Sequence, residues 1–200
     1  MRKEIPMRII LASASPRRRE LLQQIGWEFE IKVSEVEEII TGSRPHEVVE
    51  ELSCQKAQAV ASVLGECRED VLVIGADTVV ACDGRILGKP ANREDAAGML
   101  RLVQGRSHYV YTGVTLCLLP GGKSGKKAQT VTFHEAARVD FYPMSEEEIS
   151  WYVSGEEPMD KAGAYGIQGL CARFIKGIEG DYNCVVGLPV GRVYQEVKRL

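Results

Sequence analysis

The period of the hydrophobic positions changes repeatedly along the chain, and each change predicts an element. Ile9–Ala12 reads as a short apolar strand, Ser13–Ser15 as a tight turn of small residues, and Pro16 as the first position of a helix. Proline suits that position because its missing N–H has no intrahelical partner to lose. Ser15 is then the N-cap, its hydroxyl turned toward the amides of the first turn. Phe29, Ile31 and Val33 alternate with Glu28, Glu30 and Lys32, which predicts a half-buried strand. Ser34–Ser43 is acidic and reads as an irregular loop. From Pro45 to Leu64 the apolar spacing is helical, with Gly65 as the stop. Val71–Ile74 is a short, continuously apolar strand of the kind buried on both faces. It passes through Gly75-Ala76-Asp77-Thr78 into a second apolar run, Val79–Cys82.

Asp83-Gly84 is a hairpin signal, with the chain returning as Arg85–Leu87. Asn92 and Asp95 open a helix that Gly105 ends. Ser107–Leu119 and Ala128–Phe141 are predicted to pair as long strands. Between them PGGKSGKK reads as an exposed hairpin tip, since it lacks the spacing of a phosphate loop and no helix follows it. Ser145 and Glu148 make a capping box for a helix to about Val153. Gly155–Gly169 is irregular and glycine-rich, Cys171–Ile178 reads as a last strand, and Pro189–Arg199 as a final helix. No repeat or low-complexity linker interrupts this order, so residues 1–200 read as one α/β domain, two-lobed and without a clean boundary.

Composition narrows the function. With 44% hydrophobic content, 200 residues can bury one sizeable core. A net charge of -3 argues against bulk nucleic-acid binding. No apolar run is long enough to span a membrane, and MRKEIPMR has no signal-peptide apolar region, which points to the cytoplasm. Cysteines 54, 67, 82, 117, 171 and 184 are scattered with no C-x-x-C pair and read as reduced small hydrophobes. Histidines 46, 108 and 134 stand alone, which argues against zinc. A bound metal is expected to be a hard cation held by carboxylates and by substrate phosphates.

The candidate chemistry begins at the first helix. A strand, a serine-rich turn and a helix N-terminus together make an anion site. Arg17, Arg18 and Arg19 stand where the helix dipole repels cations, which suggests a phosphate held in an arginine fork; the plainer alternative is a solvated basic helix start. Asp77 is the leading acid, since an aspartate between apolar runs needs a partner. Placed at a strand end, with Gly75 and Ala76 keeping the site open, it can hold a cation or orient a water. Glu38 is the second acid, equally readable as a solvated loop glutamate. Lys56 and Lys89 can supply point charges to phosphate oxygens, although a mid-helix lysine such as Lys56 ordinarily faces solvent.

S-x-S-P-R-R-x-E-L-L, G-A-D-T-V-V, G-K-P, T-G-V and D-K-A-G-A-Y-G-I-Q-G occur in the order and spacing of the Maf family of nucleotide pyrophosphatases, which the chain resembles from about Arg8 to Val190. The resemblance implies an elongated, ITPase-like α/β fold, a mixed sheet with flanking helices and a cleft between two lobes. It also implies hydrolysis of nucleoside triphosphates to monophosphate and pyrophosphate with a divalent cation, Mg²⁺ or Mn²⁺, and makes a homodimer reasonable. Asp77 matches the catalytic acid and, with Glu38, the metal-holding pair. Ser13, Arg17, Arg18, Lys56 and Lys89 match phosphate-handling positions. The run Asp160–Gly169 resembles the branch acting on dTTP and UTP, in which positions matching Arg17, Thr78 and Gln168 go with substrate choice. Gln168 suits that task, because a side-chain amide both donates and accepts and can read a pyrimidine edge. Arg19 replaces the more usual glutamine and is expected to be peripheral. Two rivals stay open, a 7-methyl-GTP-type pyrophosphatase and a nucleotide-binding regulator of cell division.

Overall fold

Three long strands carry the fold, and most of the rest packs against them. The computed structural model describes residues 7–33, 37–122 and 127–200. In chain order the elements are β1 (Arg8–Leu11), α1 (Pro16–Gln24), β2 (Glu30–Ile31), α2 (Pro45–Ser62), β3 (Val71–Cys82), β4 (Arg85–Leu87) and α3 (Arg93–Val103). There follow β5 (Ser107–Leu119), β6 (Gln129–Phe141), α4 (Glu146–Ser154), β7 (Ile175–Glu179), α5 (Tyr182–Val186) and α6 (Val190–Val197). Short 3-10 turns occupy Glu157–Asp160, Ala162–Ala164 and Leu170–Phe174. The strands form one mixed sheet in the order β2-β1-β3-β5-β6-β7, with β4 also pairing to β3. The fold class is mixed α/β with helices flanking the sheet.

Local chemistry explains many boundaries. Asp83 and Gly84 both take positive φ, +48° and +72°, as the two-residue hairpin between β3 and β4 requires. Asn92 Oδ1 accepts from Asp95 N at 2.9 Å and opens α3. Ser145 and Glu148 cap α4 reciprocally, at 3.2 and 2.8 Å.

Other expectations are corrected. The strand expected over Phe29–Val33 shrinks to Glu30–Ile31 and is exposed, because among the described residues it pairs only with β1 at the sheet edge, leaving Ile31 44% and Val33 52% exposed. Cys171–Ile178 divides into a 3-10 turn and β7, since only the second half reaches β6. The short helix α5 carried too few residues to show a period. Ser34, Glu35 and Val36 of the acidic loop, Lys123–Lys126 of the hairpin tip and residues 1–6 lie outside the described residues.

Hydrophobic clusters lie on both faces of the sheet. On one face Leu72, Ile74 and Ala76 of β3 pack with Leu21 and Leu22 of α1 and Val190 and Val193 of α6. Further along the same face, Val80 and Cys82 pack with Leu100 of α3, Ile149 and Tyr152 of α4 and Phe174. The opposite face is covered by α2, through Val49, Leu52, Ala57 and Val60 against Val71, Val73 and Val79. Between the two helix groups of the first face lies a cleft, and Thr78 sits at its floor. Among the described residues, no helix is long and apolar enough to cross a membrane.

Candidate active site

The break expected at Gly75–Thr78 is absent. β3 runs unbroken from Val71 to Cys82, paired with β5 from Val71↔Leu119 to Ala81↔Tyr109. Asp77 therefore stands in mid-strand and not at a strand end. It is reachable because the other edge of β3 is staggered. β1 pairs with Val71–Ile74 and β4 with Val80–Cys82, which among the described residues leaves 75–79 with no strand neighbour on that side. Successive side chains point to opposite faces, so Asp77 and Thr78 both reach this gap from the two sides of the sheet.

On one side α2 presses close to the strand. A Cβ on Gly75 would lie 2.3 Å from Ser53 O, and one on Gly113 would lie 2.2 Å from Val49 O. Gly75 thus lets the helix approach, where the sequence suggested that it kept the site open. The approach brings Lys56 onto Asp77, and the ammonium donates to Asp77 Oδ1. The same Nζ lies 3.0 Å from Glu38 Oε1. The lysine side chain is 19% exposed, so it does not take the solvent-facing role usual at mid-helix.

On the other side α1 delivers the cations. Ser13 Oγ accepts from Ser15 N at 3.2 Å and from Arg18 Nη1 at 3.1 Å. Ser15 occupies the N-cap, but its hydroxyl makes no capping bond. The expected cap is therefore corrected: the Ser13 hydroxyl closes the turn, and among the described residues no side chain caps the first-turn amides, as an anion site needs. Arg18 also donates from Nε to Gly187 O at 2.8 Å and from Nη2 to Thr78 Oγ1 at 3.1 Å. Thr112 Oγ1 gives its proton to Cys184 O at 2.8 Å, so Thr78 is the donor in its 2.9 Å bond to Thr112. Thr78 thus turns a lone pair toward Arg18. Burial presses the Arg18 guanidinium below its ordinary pKa, and the Asp77 charge opposes this.

The three arginines diverge. Arg17 crosses the cleft to Asp160 Oδ2 at 3.0 Å, Arg18 turns inward, and Arg19 is not part of the cavity wall. Burial pushes the Asp160 carboxyl up, but Lys161 and Arg17 outweigh it and hold the group below the usual carboxylate range. Lys89 is exposed at the rim, where Gly88 O accepts from Gly163 N at 3.0 Å and docks the Gly88-Lys89-Pro90 loop on the opposite segment. Gln168 is exposed at the same rim.

Ser13, Arg17, Arg18, Glu38, Lys56, Asp77, Thr78, Lys89 and Gln168 all line one cavity of about 470 Å³. The sequence reading missed Asp160, Lys161 and Tyr165 in its wall. The first two open the D-K-A-G motif, but a partner 143 residues away leaves no mark in local spacing. Asp77 and Glu38 are hard oxygen donors of the kind Mg²⁺ or Mn²⁺ takes. Both already face one cation, Lys56 Nζ, so their oxygens converge as such an ion needs. Among the described residues no group of three His, Cys, Asp or Glu side chains could hold a metal. Triphosphate oxygens are further donors of the same hard kind.

Comparison with known proteins agrees with the motifs. The family described as "Maf-like protein" matches residues 8–200. A dTTP/UTP pyrophosphatase of Agathobacter rectalis is 54% identical over 202 residues, covering 96% of this chain and 97% of that one. One of Bacillus cereus is 50% identical over 193 residues, covering 96% and 95%. Among solved structures, the Staphylococcus aureus Ham1 protein aligns over 96% of this chain and 99% of its own, with a TM-score of 0.42 and 13% identity. With its motifs in order and nearly its whole length matched, the chain belongs to the Maf family.

Proposed function

We propose that the protein hydrolyses dTTP and UTP, and modified pyrimidine nucleotides of the same shape, to the monophosphate and pyrophosphate. The observation that carries this reading is the meeting in one cavity of Asp77 with five cationic side chains, Arg17, Arg18, Lys56, Lys89 and Lys161. Its size falls within the usual range for a small-molecule site. The activity by which the half-identical relatives are named supports the same substrates.

In the mechanism, Ser13, the first-turn amides of α1, Arg17 and Lys89 bind the phosphates. Arg18, fixed by three protein partners, stabilises charge on the phosphoryl oxygens as it spreads in the transition state. Asp77 accepts the proton of the water that attacks the α-phosphorus in line, and pyrophosphate leaves. Lys56, donating to Oδ1, keeps the Asp77 carboxylate aimed. Asp77 and Glu38 would hold the divalent cation, which when bound supplies charge neutralisation on the phosphate oxygens. Gln168 reads the base edge.

A panel of dTTP, UTP, CTP and 7-methyl-GTP, assayed by pyrophosphate release with and without Mn²⁺, tests this. Preference for dTTP and UTP is expected. A marked preference for 7-methyl-GTP overturns the substrate, and binding without pyrophosphate release makes the protein a regulator.

A further inference from the structure

The turn that carries Gln168 is fastened at both ends to one carboxylate, that of Glu157. On the C-terminal side Leu170 N donates to Glu157 Oε2 at 2.8 Å and Cys171 N to Oε1 at 3.4 Å. On the N-terminal side Gly166 N donates to Tyr152 Oη at 3.2 Å, and that hydroxyl donates on to Glu157 Oε1 at 2.9 Å. The turn is closed across itself by Gly169 N to Gly166 O at 3.3 Å. It also rests on the carboxylate, since a Cβ on Gly169 would lie 2.3 Å from both Glu157 oxygens. Tyr152 is 2% exposed and packed in the core beside Ile149, so the anchor itself has little freedom. Glu157 is not in the wall of the cavity that Gln168 lines, and its contact with the cavity cations is through its backbone carbonyl, which accepts from Lys161 Nζ at 2.8 Å.

We propose that Glu157 is the positioning residue for base recognition, holding the Gly166–Gly169 turn so that Gln168 meets the pyrimidine edge at one distance and angle. The inference rests on the pyrimidine nucleotide reading of the cavity. Its physical ground is the ambiguity of an amide. Uracil offers a carbonyl acceptor beside an N–H donor, cytosine offers the reverse, and a glutamine can satisfy either by rotating. Discrimination therefore requires that the backbone beneath the amide be held, and a half-buried carboxylate with three donors holds it more firmly than neutral bonds do.

The test measures kcat and KM for UTP and CTP in the wild type and in Glu157→Ala, Glu157→Gln and Tyr152→Phe, with unfolding midpoints alongside. In Glu157→Ala the preference for UTP over CTP is expected to fall by about tenfold or more, mainly through KM, with kcat for UTP within about threefold of wild type. Glu157→Gln keeps one acceptor oxygen and is expected to rescue part of the preference. Tyr152→Phe keeps the core packing, removes the Gly166 bond and one of the three donors to Glu157 while leaving Leu170 and Cys171 tied, and is expected to move the preference the same way by less. An unchanged preference in folded Glu157→Gln and Tyr152→Phe overturns the assignment. So does a fall in kcat for both nucleotides that merely follows lost stability. Wild-type protein that releases no pyrophosphate from UTP overturns the underlying substrate reading, whereas active wild type with indifferent variants overturns only the role of Glu157.

Discussion

Lys56 and Asp77 lie 21 positions apart in sequence, and the lysine ammonium donates to the aspartate carboxylate across the interface between α2 and β3. The two side chains are 19% and 15% exposed, which places the pair at the wall of the cleft, neither sealed in the core nor loose in water. A pair half-shielded in this way is electrostatically stronger than a surface ion pair, yet both partners remain within reach of a ligand.

Asp77→Asn keeps the shape and removes the base. Turnover of dTTP is expected to fall by roughly 10²–10⁴-fold, the usual contribution of a positioned general base. Calorimetric titration is expected to show nucleotide binding preserved. Full activity in this variant refutes the assignment.

Gly75→Ala tests how α2 is seated. The new Cβ would stand 2.3 Å from Ser53 O, a backbone atom that cannot swing aside. Overpacking of this kind costs about 1–3 kcal/mol, read as a lower denaturation midpoint. Because the displaced helix carries Lys56, kcat is expected to fall further than the midpoint shift explains.

Metal dependence offers a third check. Chelation of divalent ions is expected to stop pyrophosphate release, and Glu38→Gln is expected to raise the Mn²⁺ concentration for half-maximal rate by roughly tenfold, since ligand charge tunes such affinities. Undiminished turnover after exhaustive chelation excludes the role given to the pair.

His108 predicts acid sensitivity. It is 2% exposed, and its Nε2 meets Tyr165 Oη at 2.7 Å in the wall-forming segment. Burial pulls its pKa from 6.5 down to about 4. Between those values the unfolded chain binds the proton and the folded one does not. The stability linked to this residue is therefore whole above about pH 6.5 and lost as pH falls toward 4, about 3 kcal/mol in all. His108→Gln is expected to flatten the stability profile in that window, measured by urea unfolding at successive pH values.

Much of the architecture was legible because it depends on neighbours in sequence. Asn92 with Asp95, Ser145 with Glu148, and Asp83 with Gly84 each satisfy or bend the backbone within four residues. Three places misled. Gly75-Ala76 looked like a break, because spacing cannot distinguish a glycine that turns a strand from one that admits a helix. Phe29–Val33 looked half-buried, because alternation says nothing about whether a partner covers it. Ser15 looked like a capping residue, because residue type at the helix start does not show that its hydroxyl leaves the first-turn amides uncapped while Ser13 Oγ accepts from Ser15 N.

Spacing and residue type along the chain sufficed for the alternation of strands and helices and for the family motifs, and the resemblance those motifs carry completed the nine candidate side chains that line one cavity. They could not say that Lys56 faces Asp77, that Arg17 spans to Asp160, or that Glu157 ties down the turn bearing Gln168. Those relations join residues up to 143 positions apart. They arise from how closely α2 can lie on the sheet and from where β1 and β4 leave the edge of β3 bare. Such contacts depend on volume and register in three dimensions, which hydrophobic periodicity along one dimension does not encode.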